Sequence, residues 1–101
     1  MDKEEAKEIL DGIVAEYRKK SYAELVELAN GDIGAFDVGG KSGTIYEVEI
    51  DIFRDEKNEE NIRFDTVIDC GVISSYFPMK ECFVKNPNNE FVAEGYEDPL
   101  F

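Results

Sequence analysis

The chain predicts an α+β domain in which two N-terminal helices pack on a single antiparallel meander of about four to six strands. Three observations carry this. Apolar residues recur at helical spacing up to about residue 29, then at alternate positions from about residue 35. Two capping patterns, Asp2 with Glu5 and Ser21 with Glu24, precede the two helical stretches. The later connections are too short for the crossovers that parallel strands need.

The first helix is expected over about 3–18, with Ile9, Leu10, Ile13, Val14 and Tyr17 as one apolar stripe. Acids Asp2, Glu4 and Glu5 at its start and Arg18, Lys19 and Lys20 at its end suit the helix dipole. Gly12 weakens it and is expected to mark close approach to another element. The second helix is expected over about 22–29, through Tyr22, Leu25, Val26, Leu28 and Ala29. Asn30 and Gly31 are expected to stop it in the left-handed conformation.

Strands follow over 35–94. Ala35 to Val38 is short, and Gly39 to Gly43 is a turn. Thr44 to Arg54 alternates most clearly: Tyr46, Val48, Ile50 and Ile52 point one way, Glu47, Glu49 and Asp51 the other. Asp55 to Asn61 is a polar hairpin loop. Ile62 to Asp69 sets Ile62, Phe64, Thr66 and Ile68 against Arg63, Asp65, Val67 and Asp69. Val72 to Phe77 reads as a strand between Gly71 and Pro78, and Cys82 to Val84 as a fifth apolar run. Asn86 to Asn89 is a turn. Phe91 to Ala93 closes the sheet or reaches back over the helices, and 95–101 is an irregular tail. One domain spans 1–101.

Charge bounds the function. The chain carries 24 acids, 11 bases and no histidine, a net −13 on 101 residues. Residues 31–101 hold 16 of those acids and 6 of the bases. Like-charge repulsion excludes nucleic-acid phosphates and anionic membranes as partners. No signal peptide or membrane-spanning run is evident, so a cytoplasmic location is expected. Cys70 and Cys82 read as small buried apolar side chains in neighbouring strands, kept reduced.

The motifs give little chemistry. Gly40-Lys41-Ser42 ends like a phosphate-binding loop, but the required leading glycine falls at Ala35 and a strand follows instead of a helix. A hairpin turn is the better account. Asp55 to Asn61 lacks the order of a calcium loop, with Lys57 at a ligand position. Without histidine the usual serine and cysteine catalytic pairs are impossible. No catalytic residue, cofactor or metal is therefore assigned. Glu47, Glu49 and Asp51 share one sheet face, with Asp65 and Asp69 across from them and Arg54 and Arg63 available to screen them. That face reads as a solvated surface, a protein-binding patch, a divalent-metal site or an acid/base pair. Tyr96, Leu100 and Phe101 add core or an interface, including that of a homodimer.

Tyr46 to Phe53, Ile68-Asp69 before Gly71, Tyr76-Phe77-Pro78 and Asn89 to Val92 resemble a group of small uncharacterised bacterial α+β proteins. The resemblance covers about residues 21–94. It implies the architecture and a bacterial cytosolic origin, and it carries over no site residue.

The expected function is a non-enzymatic protein-binding module for a basic protein. Immunity proteins and antitoxins that neutralise basic nucleases are of this kind, and net −13 speeds encounter with such a partner. The alternative is a carboxylate-based divalent-metal-binding or hydrolytic domain.

Overall fold

A computed structural model of the chain describes residues 3–31, 34–69 and 79–92. Helix α1 spans Lys3–Arg18 and α2 spans Tyr22–Ala29. Strands β1 (Ala35–Gly39), β2 (Ile45–Arg54), β3 (Ile62–Asp69) and β4 (Met79–Lys85) follow. The four strands form one antiparallel sheet in the order β1-β2-β3-β4. The α+β architecture with N-terminal helices is as expected, with four strands among the described residues.

The helices lie on one face of the sheet, α1 over β3 and β4 and α2 over β2 and β3. Ala6, Leu10 and Val14 are the fully turned-in row of α1, spaced four residues apart, and Ile9, Ile13 and Tyr17 flank them. The sheet contributes Tyr46, Val48, Ile50 and Ile52 from β2 and Ile62, Phe64 and Ile68 from β3. Their alternate neighbours on β2 are all exposed. Tyr17, Phe64 and Phe83 form a stack through the two layers, with ring centroids 4.8 and 4.9 Å apart.

Three local contacts fix the ends of the helices. Ser21 Oγ accepts from the Glu24 N–H, and Glu24 Oε1 accepts from the Ser21 N–H, so the expected capping box closes α2. Tyr22 then ties that end to the hairpins: its N–H donates to Asn89 Oδ1 and its hydroxyl to the Glu60 carbonyl. At the far end of α1, the buried Lys85 ammonium donates to the carbonyl oxygens of Arg18, at 3.2 Å, and Lys20, at 2.7 Å. A cation there satisfies the carbonyls a helix leaves open and opposes its dipole.

Several expectations need correction. Gly12 approaches nothing: a Cβ built there has no atom within 4 Å, so it faces solvent. Helix α2 does stop at Ala29, but Asn30 stays right-handed at φ −86°. The last turn tightens instead, with Asn30 N–H on Glu27 O and Gly31 N–H on Leu28 O. The run Cys82 to Val84 belongs to a longer strand, β4, which starts at Met79. Of the run 91–93, Phe91 bridges to Lys85 and Val92 N–H donates to Val84 O beside β4, the Phe91 ring stands edge-on to Phe83 at 5.5 Å, and Ala93 lies outside the described residues. Asp2, Cys70 and the strand expected over Val72–Phe77 lie outside the described residues.

Candidate functional site

The face of the sheet turned away from the helices is the candidate site. Alternation alone puts Glu47, Glu49 and Asp51 there, and the register says what stands beside each. Glu47 lies between Asp37 on β1 and Asp69 on β3. Asp51 faces Asp65, and Glu49 sits between Ala35 and Val67. On β4, Lys80 continues the Glu49–Val67 row, and Cys82 continues the Asp51–Asp65 row. The five acids expected on this face are therefore together, on two adjacent strands. Asp37 is a sixth, which sequence reasoning missed. Its own strand showed it on the acid face only once the β1–β2 register was known.

The pairs differ in strength. Asp37 and Glu47 occupy a non-hydrogen-bonded position, because the neighbouring Phe36 and Val38 take the ladder bonds to β2. Side chains approach most closely at such positions, with Cα atoms about 4.5 Å apart. Directly opposed like charges destabilise a strand pair. Asp65 on this face has an ion-pair partner, Arg63 Nε at 2.9 Å. The expected screening by Arg54 is wrong. Its parity in β2 carries it to the helix side, where it donates to the Tyr22 hydroxyl at 2.7 Å. Cys82 is also not buried among apolar groups. Its half-buried side chain, in no disulfide, lies on the acid face.

Apolar groups flank the carboxylates along β2. Ile45 is 59% exposed at one end and Phe53 37% exposed at the other. Phe53 lines an open depression with Asp55, Glu56, Lys57 and Arg63. Tyr96, Leu100 and Phe101 lie outside the described residues.

The other motifs resolve into structure. Gly40-Lys41-Ser42 is a hairpin turn, with Gly40 N–H on Thr44 O and Gly43 at φ +95°, a conformation glycine adopts freely. The turn does hold an anion, but that anion is the chain's own Glu5. One Glu5 oxygen accepts from the Ser42 hydroxyl and the Tyr46 phenol, both at 2.7 Å; the other accepts from the Ser42 N–H at 2.9 Å. Gly40 makes room for it, since a Cβ there meets the Glu5 carboxyl at 2.6 Å. The Ser42 and Tyr46 hydroxyls, with the Ser42 N–H, lower the Glu5 pKa to about 2. Such a carboxylate is too weak a base to activate the serine it touches at neutral pH. The loop after β2 closes on itself, Asp55 N–H to Asn61 O and Asn61 N–H to Asn58 O. Among the described residues, no three His, Cys, Asp or Glu side chains converge as they do around a metal ion. No helix among those residues is long and apolar enough to cross a membrane.

The described residues therefore offer an anionic sheet face that carries Asp37, Glu47, Glu49, Asp51, Asp65 and Asp69. No protein-family model matches this chain, no curated protein matches it, and no solved structure matches it.

Proposed function

We propose that this chain is a non-enzymatic protein-binding module whose outer sheet face docks a basic protein surface. The observation that supports this most is the row Asp37–Glu47–Asp69, three carboxylates side by side across three strands. A face built for solubility alone carries both signs interspersed, which lowers repulsion at no loss of hydration. Here six acids share the face with two bases, Arg63 and Lys80, and Glu47 and Glu49 have no ion-pair partner among the described residues. Ile45 and Phe53 at the margins supply the apolar contact that such interfaces combine with charge. An immunity- or antitoxin-like role against a basic toxin is one form of this reading.

The test is capture from cell extract on the immobilised chain at low and high salt. A triple variant with Glu47, Glu49 and Asp51 changed to Lys serves as the control. The expected result is a basic protein retained by the native chain at low salt, released at high salt and never held by the triple variant. Equal retention by both chains, or none by either, removes the proposal.

A further inference from the structure

The sheet has an open edge beside the acid row. Strand β1 ends the order β1-β2-β3-β4, and four of its five residues are exposed. The Gly34 carbonyl accepts from Ile50 N–H, and Gly40 N–H donates to the Thr44 carbonyl. Register Ala35↔Glu49 through Gly39↔Ile45 then fixes the alternation between those two bonds. Phe36 and Val38 spend their backbone groups on β2, while the N–H and C=O of Ala35, Asp37 and Gly39 point outward. Native sheets protect such edges with proline, bulges, several charges or a covering element. Strand β1 holds one charge, Asp37, and no proline. On the helix side, Phe36 is 43% exposed.

From this we infer that β1 accepts an extended segment of a partner as a fifth strand, and that the segment alternates basic and apolar residues. The inference rests on the outer face being a docking surface for a basic protein, and it says how the partner engages. An added strand lies about 4.8 Å from β1, so its outward side chains extend the row Asp37–Glu47–Asp69. Lysine or arginine there stands beside Asp37, which is directly opposed to Glu47 in the free chain. The alternate side chains fall on the opposite face, beside Phe36 and Val38, and cover apolar surface that the helices leave open. Outward N–H and C=O groups supply the ladder, which gives affinity, while the two faces give specificity. A second copy of the chain fits less well. It brings net −13 of its own, and a two-fold pairing centred on β1 sets Asp37 against Asp37.

The probe is a blocked octapeptide of alternating lysine and valine, compared with the same composition in two blocks, Lys4Val4. Amide exchange and affinity are measured by NMR at low salt on the full chain. The alternating peptide is expected to protect the amides of Ala35, Asp37 and Gly39, and to bind at least about tenfold tighter than the block peptide. Asp37→Asn keeps the edge donor and removes the charge, and weakens binding by about threefold to tenfold. Asp37→Pro removes an outward N–H without touching the ladder to β2, and abolishes edge protection. Ala35→Pro does the same at the first residue of the strand and stands in if Asp37→Pro fails to fold. Equal binding of both peptides without edge protection overturns strand addition and leaves the docking face standing. No binding of either peptide, together with no capture of any basic protein, overturns both. A chain that sediments as a dimer, with its edge amides already protected and Ala35→Pro returning it to monomer, replaces the basic segment with a second copy.

Discussion

Ser42 Oγ lies 2.7 Å from Glu5 Oε1, so the turn between β1 and β2 is tied to the first turn of α1 across 37 residues of sequence. The contact joins the two layers at the end opposite Lys85. It also makes stability depend on acid. The Glu5 pKa falls from an ordinary 4.5 to about 2, held down chiefly by Ser42 and then Tyr46. Its contribution is complete above the unfolded value and is lost as pH drops toward the folded one, because the unfolded chain takes up the proton first. Urea midpoints of the native and Glu5→Gln chains are expected to differ by a constant amount from neutral pH down to about pH 5, and to converge as pH approaches about 2. A gap that widens in acid contradicts this assignment.

Lys85 is expected to be worth more than its place on a sheet strand implies. Its buried ammonium holds the Arg18 carbonyl at the end of α1 and the Lys20 carbonyl just after it, and lies 4.8 Å from the centre of the Phe91 ring. Lys85→Met removes those bonds and leaves carbonyls without donors, at about 2 kcal/mol. Lys80→Met, on the exposed face, is expected to change stability by less than about 0.5 kcal/mol. Urea unfolding of both variants at neutral pH checks the contrast.

Gly12→Ala is expected to stabilise. Nothing crowds the position, and the residue lies inside α1. Alanine gains about 1 kcal/mol over glycine in a helix interior. For a domain of this size that raises Tm by about 4 °C or more, read by calorimetry. An unchanged or lowered Tm shows that Gly12 serves a contact after all.

These residues also show how far the sequence could be read. Both helices, β2 and β3 were legible because long periodic runs admit one interpretation, and Ser21 with Glu24 marks a start unambiguously. Strand β4 was harder. Cys82, Phe83 and Val84 are consecutive apolar residues, and the inward position at its end is a lysine, so no alternation announces the strand. The parity that turns Ile52 inward also sends Arg54, two residues on, to the helix side. The five acids of the outer face followed from alternation, but the row that includes Asp37 required the β1–β2 register. The Glu5–Ser42 clamp left no local signal at all, since its partners meet only in the folded chain.

Glu47 is the place to test the account, because it stands between Asp37 and Asp69 with no base paired to it among the described residues. The measurement is Tm of the native and Glu47→Gln chains across salt concentration. Relief of directly opposed charges is expected to raise Tm of Glu47→Gln by about 2–4 °C at low salt. The two values are expected to merge near 1 M salt, where screening reaches about 3 Å. Equal Tm values at low salt, or a less stable Glu47→Gln, contradict the claim that this face is held in repulsion awaiting a cationic partner.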